Sequence, residues 1–599
     1  MNYITQKAKH RMEARTPNQD PYGRAHGSQC HRSQQRDSER AGVWVVCSLP
    51  LIPHLQGGFE MSDLVDGRVE AQPLKERVAK APRGKSQASG TKARRLARLS
   101  RCRTAVFFIS LFLCLTVVFA FSFIIPCPVR PVYLRTWNHT YLESATYDFL
   151  AVEDVNRDKV LDVLFVLEAN VGTMNTSCTI ESIPCVFMVA VAGTNGHTLW
   201  ERPLAPPFHW AQCGLQGLGG TDSGCLVAHA HLLTAVNKNT GDFLWQRPHP
   251  PNFNSQLPVM TSPDLDGDKV EDLVLIGPGP VETKLAVLSG RAGSRIGPEL
   301  VLIPMETTKH LLHSTGSGSH YVLFRTALGL HARALWRIAA EVQPGSEKTL
   351  RREPAWEAAA EGTSEQPLRS AVIHWLVQVP KKRGGHSLLL VTGGAVELVD
   401  GDSLQSLWTT NVSGVLSQPS TGYYDKDDIT DVVLEEDSGN GTKRVAILNG
   451  RSGLVQWQLI LLARPNTPQP VSFRSIHTIS VFVFWGQMVA PPDAMRPSSE
   501  DTFTYMLHPQ HPDAVLESST WGGGGQTVTL RATLLERSRH ACFITLAAPA
   551  GAGPSVTLSK RKLKDDASRS HVCWLGDHGE HQDEDVKYAF ERLRFHQEA

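Results

Sequence analysis

Beyond the first 145 residues, apolar positions fall in short runs bounded by Gly, Asn, Asp and Pro, and seldom recur at helical spacing. That texture predicts short β-strands. Four of the runs close on one kind of hairpin. CVFMVAVAGTNGHTLW ends at Trp200, LTAVNKNTGDFLW at Trp245, VELVDGDSLQSLW at Trp408 and TKRVAILNGRSGLVQW at Trp457. TKLAVLSGRAGSRIG follows the same pattern to Gly297 without the tryptophan, and LGLHARALW at Trp336 is a weaker echo. Gly196, Gly241 and Gly453 stand four residues before their tryptophans, where a tight turn needs a positive φ. A hairpin unit repeated in this way cannot cover both of its own faces and must stack between copies. The fold class expected is therefore mainly β: a propeller of about seven blades over 146–575, with six or eight left open. Residues 341–369 read as an insertion between blades. Val586, Phe590 and Leu593 share one face of a closing helix over 583–596.

One segment breaks the strand pattern. No charged residue occurs from Thr104 to Val129, and Ala105–Ile125 is almost wholly apolar. A bilayer core of about 30 Å needs about 20 helical residues, so 104–126 is expected to span a membrane, with 127–145 as a stalk beyond it. Lys92, Arg94, Arg95, Arg98, Arg101 and Arg103 crowd the N-terminal flank, whereas Arg130 and Arg135 stand on the other. This asymmetry places the N-terminus in the cytosol and makes the segment a type II signal anchor. Residues 1–103 lack an apolar period and read as a disordered basic tail. A change of texture marks Met61 as a candidate translation start, with residues 1–60 as an extension before it.

Composition alone conceals this division. The 599 residues carry 60 basic and 59 acidic side chains, a net charge of +1. Residues 1–103 hold 20 basic and 9 acidic groups, leaving 40 and 50 for the remainder. The near-neutral sum thus separates into a basic side, suited to anionic inner-leaflet lipid, and an acidic side that does not suit nucleic acid.

The acidic side carries the marks of a secretory compartment. Sequons occur at Asn138, Asn175, Asn411 and Asn440 and nowhere before the span. Cys178, Cys185, Cys213, Cys225, Cys542 and Cys573 make an even six beyond the membrane exit at Cys127. Close spacing suggests Cys178–Cys185 and Cys213–Cys225 as local bridges, leaving Cys542 with Cys573, although six cysteines allow 15 pairings.

Three nine-residue acidic turns recur among the strands. They place Asp154, Asn156, Asp158 and Asp162 in the first, Asp264, Asp266, Asp268 and Asp272 in the second, and Asp425, Asp427 and Asp431 in the third, where Tyr423 fills position one. Oxygen ligands at positions 1, 3, 5 and 9 can converge on a hard cation, and calcium wants six to eight oxygens in an irregular cage. Structural calcium is expected at 154–162 and 264–272. The turns resemble the FG-GAP calcium loops of integrin α-subunit propellers, but Lys159, Lys269 and Asp428 stand at position six, where that motif usually has glycine.

Catalytic chemistry finds no specific pattern. Gly214–Gly220 lacks a following helix, Thr221–Gly224 (TDSG) has no histidine motif beside it, and His571, Cys573, His578 and His581 compete with a disulfide for the same thiol. The Gly-x-x-x-Trp hairpins also resemble quinoprotein repeats, without the adjacent cysteines common over that cofactor. FSFIIPCPVRP followed by TWN, TYDFLAVEDV, TLWERP, VFVFWG, SRHA and the terminal ERLRFHQEA resemble the FG-GAP repeat-containing membrane proteins of family with sequence similarity 234, member A type. The resemblance runs from Met61 to Ala599 and implies a single-pass type II surface glycoprotein, without an established activity. The expectation is a non-enzymatic binding module for a protein or glycan ligand. The alternatives are a trafficking or assembly factor of the secretory pathway, or a propeller enzyme.

Overall fold

The computed structural model describes residues 105–119, 136–169, 185–249, 258–278, 282–360, 367–382, 384–464, 467–489, 502–519, 526–534, 539–548, 554–575 and 582–595. The expected tail 1–103 lies outside them. The chain forms two units, Met1–Ile124 and Ile125–Ala599. In the first, residues 105–119 form one helix, α1, whose side chains are all exposed. At 1.5 Å per residue α1 is about 22 Å long, and among the described residues no helix is long and apolar enough to cross a membrane. Thr104 and residues 120–126 of the expected span are not among those described.

The second unit is a β-propeller of antiparallel four-stranded meanders. Blade 1 runs through Ser144–Glu153, Asp162–Ala169, Cys185–Val191 and Thr198–Leu204, and blade 2 through Phe208–Gln216, Ser223–His229, Leu232–Asn237 and Phe243–Pro248. Blade 3 spans Met260–Ile303, blade 5 Ile373–Asn411 and blade 6 Ser420–Leu462. Blade 7 starts at Val471–Arg474 and takes His571–Trp574 as an added outer strand beside Ala514–Ser519. Blade 6 joins it through the pairs Leu461–Met488 and Leu462–Gln487, so two blades merge into one nine-stranded sheet. The described residues thus make seven sheets that hold eight blades. Eight hydrophobic clusters alternate with them, each drawn from two neighbouring blades. Strands in the middle of each blade are covered on both faces, which is why Cys185–Val191 and Ser223–His229 are buried throughout and read as continuous rather than alternating apolar runs.

Two expectations change. Trp137–Leu142 is not stalk. It pairs in register with Ser555–Lys562 as the outer strand of blade 8, whose other strands are Gln526–Thr533 and Cys542–Ala548. A chain segment about 420 residues upstream therefore closes the ring, and Thr140 Oγ1 meets Thr557 Oγ1 at 3.1 Å across that closure. The count is eight rather than about seven: blades 3, 4, 7 and 8 lack the hairpin tryptophan, and of these only blade 3 keeps the rest of the hairpin pattern. The insertion expected at 341–369 does fall between blades, and it is packed into the ring. Blade 4 has three strands, Lys309–Ser314, His320–Thr326 and Gly329–Ala334, and the chain then passes into α2 (Leu335–Val342) and α3 (Pro354–Ala360) where an outer strand would lie. Leu335, Ile338, Ala339 and Val342 of α2 fill the blade 3–blade 4 core. The closing helix is confirmed: after α4 (Leu563–Arg569), α5 (Asp583–Arg592) buries Val586 and Phe590, and Leu593 just past its end, in the blade 7–blade 8 core.

The hairpin tryptophans join blade to blade. Each indole N–H donates to a backbone carbonyl of the next blade: Trp137 to Gly193 (3.2 Å), Trp200 to Lys238 (3.0 Å), Trp245 to Gly290 (3.2 Å), Trp408 to Gly450 (2.8 Å) and Trp457 to Pro512 (2.9 Å). Under the rings of Trp137, Trp200, Trp245 and Trp408 lie Gly196, Gly241, Gly293 and Gly453, all with φ between 65° and 75°, where an added Cβ would sit within 3 Å of the indole. In blade 4 the lock comes from the insertion: Trp356 of α3, wholly buried, donates to Gly401 at 2.9 Å. Burying about 200 Å² of indole at about 25 cal/mol per Å² is worth roughly 5 kcal/mol as an upper figure, against about 1 kcal/mol for its hydrogen bond.

Apolar contact should therefore dominate the lock. Trp408→Ala is expected to cost about 3–5 kcal/mol and Trp408→Phe about 1–2 kcal/mol. Gly453→Ala, which needs a positive φ beneath the ring, should cost at least as much as the phenylalanine variant. Denaturant unfolding checks the order, and equal losses for both Trp408 variants would show that the hydrogen bond, not the ring, carries the lock.

Candidate functional site

In an antiparallel meander the first-to-second and third-to-fourth connections open at the same end. The three acidic turns are first-to-second connections in blades 1, 3 and 6, so they share one face of the ring with the glycine hairpins. Within each turn a carboxylate or amide oxygen accepts the backbone N–H two residues ahead: Asp158 donates to Asn156, Val160 to Asp158, Asp268 to Asp266, Val270 to Asp268, Asp427 to Asp425 and Ile429 to Asp427, all at 2.7–3.1 Å. Position six is left-handed in every copy, with φ 67° at Lys159, 68° at Lys269 and 60° at Asp428. The glycine usual at this position in the resembled loops is thus replaced by residues that bear the strain, at about 1 kcal/mol each.

Position nine departs from the expected ligand set. Asp162, Asp272 and Asp431 are fully buried, and their oxygens take backbone N–H groups instead of facing the turn's opening. One oxygen accepts from position two, Val155 at 3.0 Å, Leu265 at 2.7 Å and Tyr424 at 2.7 Å. The other accepts from the first hairpin glycine, Gly193 at 2.9 Å, Gly290 at 3.3 Å and Gly450 at 2.9 Å. Burial pushes each of these carboxyls up to about 6 against the N–H bonds that lower it. The same three glycines present their carbonyls to Trp137, Trp245 and Trp408. One glycine thus ties the acidic turn to its own blade through its N–H and to the preceding blade through its carbonyl.

Positions 1, 3 and 5 remain for a cation, and the three turns differ there. Carboxylate oxygens of Asp264, Asp266 and Asp268 lie within 4.8 Å of one another, a donor set that fits a hard cation. In the first turn Asn156 removes one charge, its amide donates to Asp158 at 3.1 Å, and Asp154 Oδ1 is buried without a hydrogen-bond partner. The third turn is surrounded by the protein's own donors. Asn449 (3.2 Å) and Gln456 (2.6 Å) donate to Asp425, Arg451 faces Asp427 at 3.5 Å, Lys382 and Arg474 face Asp428, and the Arg474 guanidinium lies over Tyr423. These groups already satisfy and neutralise the outer carboxylates, so the set Asp425, Asp427 and Asp431 fits a cation poorly. Blade 5 shows the same substitution in a form the sequence did not signal: Lys381, from its first connection, is paired with Asp400 and Asp402 of its hairpin. The KK and DGD pairs were visible, but their juxtaposition depends on blade geometry.

The other site residues divide as follows. The Cys213–Cys225 disulfide is present, and Cys185 is also disulfide-bonded, while its expected partner Cys178 lies outside the described residues. Cys542 and Cys573 do not bridge each other. Cys542 packs in the blade 8–blade 1 core and Cys573 against the blade 6–blade 7 core, so a whole seam separates them. Burial, with Glu517 nearby, pushes the Cys573 thiol up to about 12, which disfavours a thiolate ligand or nucleophile. Ser223 of TDSG is buried within a blade 2 strand. Asn138, Asn411 and Asn440 are exposed, and Asn175 is not among the described residues.

Asp266→Asn and Asp272→Asn should therefore separate two roles. The first removes an exposed ligand and should abolish any calcium-dependent rise in thermal midpoint, while the chelated midpoint holds or rises as carboxylate repulsion is relieved. The second leaves a buried N–H facing an amide N–H₂ and should cost about 1–3 kcal/mol with chelator present. A calcium response that survives Asp266→Asn would remove this loop as a metal site.

Comparison with known proteins places the chain. Residues 137–596 match the family model described as FAM234A/B beta-propeller, which begins at the strand that closes the ring. The chain is similar to Protein FAM234A of Bos taurus, 36% identical over 559 residues and covering 90% of this chain and 100% of that one, and equally to Protein FAM234A of Homo sapiens over 560 residues. Protein FAM234B of Gallus gallus is 29% identical over 488 residues, 76% of this chain and 77% of its own. Among solved structures, the WD40 domain of SCAP from fission yeast covers 71% of this chain and 98% of its own at 9% identity and a TM-score of 0.38. The chain belongs to the FAM234A/B β-propeller family.

Proposed function

We propose that the chain is a membrane-anchored, non-enzymatic binding protein whose propeller presents its loop face to a protein or glycan ligand on the lumenal or extracellular side. One observation carries this reading. Three acidic turns and the locked hairpins are gathered on one face of the ring, while Asn411 and Asn440 sit at the opposite end of blades 5 and 6. Glycans at those two positions would leave the loop face of blades 5 and 6 clear, whereas exposed Asn138, next to Trp137, stands at the hairpin end of blade 8. The charge split supports the orientation, since the acidic half of the chain lies beyond the apolar segment of 104–126.

In this reading the loop 264–272 is an FG-GAP-type calcium site, held by Asp264, Asp266 and Asp268. The ion would neutralise convergent carboxylates and stiffen the turn. An open groove of about 520 Å³ lies beside the third turn, lined by Tyr424, Trp457, Gln456, Gln458 and Asp513 among others. Aromatic faces with mixed donors and acceptors suit a ligand that is neither strongly charged nor wholly apolar.

Proximity labelling from a C-terminal fusion of the full-length chain, followed by mass spectrometry, tests the reading. A partner set beyond bulk secretory-pathway proteins is expected, and it should be lost when Ser403→Asn with Gln405→Thr places a new glycan on the loop face. Recovery that is indifferent to this added glycan, or of bulk proteins alone, would count against a loop-face ligand.

A further inference from the structure

The seam between blades 4 and 5 is locked differently from the others. The Gly401 carbonyl accepts two side-chain donors, Trp356 Nε1 at 2.9 Å and His313 Nε2 at 2.8 Å. His313 is wholly buried on the innermost strand of blade 4, and its ring stacks on Trp356 at 5.2 Å. Gly401 has no room for a side chain: an added Cβ would meet the His386 carbonyl and the His313 ring. Because a carbonyl can only accept, His313 carries its proton on Nε2, and its Nδ1 is a bare acceptor, buried with no hydrogen-bond partner. Nδ1 of His386 is in the same condition. The charged groups facing this pair are Lys381 from the first connection of blade 5 and Asp400 and Asp402 from its hairpin, the latter accepting from Gly316 N at 2.7 Å. On the far side of Trp356, Tyr321 stacks at 4.5 Å and donates to Glu357, while Glu353 accepts from Ser317.

We propose that this seam is an acid-sensitive joint, in which protonation of His313 and His386 releases Trp356 from Gly401 and frees α3 from the ring. With both imidazoles neutral, Lys381 against Asp400 and Asp402 leaves the cluster one charge negative. With both protonated it becomes one charge positive, and each new Nδ1–H enters a place without an acceptor. Burial holds both histidines below their ordinary range, with Lys381 lowering them further. The sign follows: a depressed imidazole supports the fold fully above about pH 6.5, and that support is lost as pH falls through the folded value. Among the described residues, none of the other five indole acceptors is shared with a histidine. Protonation can therefore act directly on an indole lock at the blade 4–blade 5 seam, whereas His229, His310 and His508, which burial also holds low, stand apart from the locks.

Hydrogen exchange of the full-length chain at pH 7.4 and 5.0, corrected for intrinsic exchange, tests the joint. Amides of 355–360 and 400–405 should lose protection severalfold at pH 5.0, while the 449–454 hairpin of blade 6 holds. His313→Gln with His386→Phe keeps a donor for Gly401 and should stay protected at both values. His386→Phe alone leaves the Gly401 bond intact and should move the acid midpoint downward. Equal protection at both pH values, uniform loss at every seam, or an acid response unchanged in these variants would overturn the proposal.

Discussion

The ring depends on the contact between an indole of one blade and a glycine hairpin of the next. A blade by itself exposes both faces, and the eight hydrophobic clusters are what covers them. Apolar burial is non-directional, however, and does not set how far one blade slides along another. The indole supplies that register: its ring needs the bare surface of a glycine at positive φ, and its N–H needs one particular carbonyl. Two residues past the tryptophan a second donor reaches the same turn, Arg202 to Gly241, Arg247 to Ala292 and Thr410 to Gly453. These three seams are thus specified at two points each, by contacts that a sliding error would break together.

This mechanism also explains what could be read from the chain and what could not. Blades 1, 2, 5 and 6 were legible because lock and hairpin lie within one short segment ending at Trp200, Trp245, Trp408 and Trp457. Trp137 performs the same work, but its strand has no neighbouring hairpin, since its sheet partners lie more than 400 residues downstream. It therefore resembled a stalk. Blade 4 was obscured for the opposite reason: its lock, Trp356, was in plain view within a charged helical stretch that looked like an insertion. Blade 7 gives no local signal, because its hairpin starts at His508 without the glycine–tryptophan pair and its outermost strand, His571–Trp574, comes from more than 50 residues downstream. Local pattern reveals a repeat only where the interacting groups are close in sequence.

The acidic turns show a similar limit at the level of chemistry. Spacing identified the carboxylates but could not tell an inward-facing one from an outward-facing one. Asp162, Asp272 and Asp431 are as acidic in sequence as their neighbours, yet they accept N–H groups from the glycines that the tryptophans lock. These aspartates are therefore part of the seam, and the outer carboxylates of each turn are free to vary. They have varied, from a charged triad at Asp264, Asp266 and Asp268, through a turn diluted by Asn156, to one surrounded by Arg451, Lys382 and Arg474.

That gradation bears on how the loop face is held rigid. A turn crowded with carboxylates repels itself unless a cation lies nearby, and Coulomb repulsion at about 4 Å is worth roughly 1–4 kcal/mol per pair near a surface. A bound divalent ion relieves this only where it is supplied from solution, so the turn's rigidity depends on the ion's concentration. An arginine or lysine relieves it always. Blade 5 has adopted the second solution completely, with Lys381 between Asp400 and Asp402, and blade 6 nearly so. Blade 3 has not. Its turn is the one place in the described acidic turns where three outer carboxylates converge with a single arginine, Arg291, at 3.8 Å from Asp268. The loop face thus combines sectors fixed by the chain's own cations with one sector whose charge remains open to a diffusible ion.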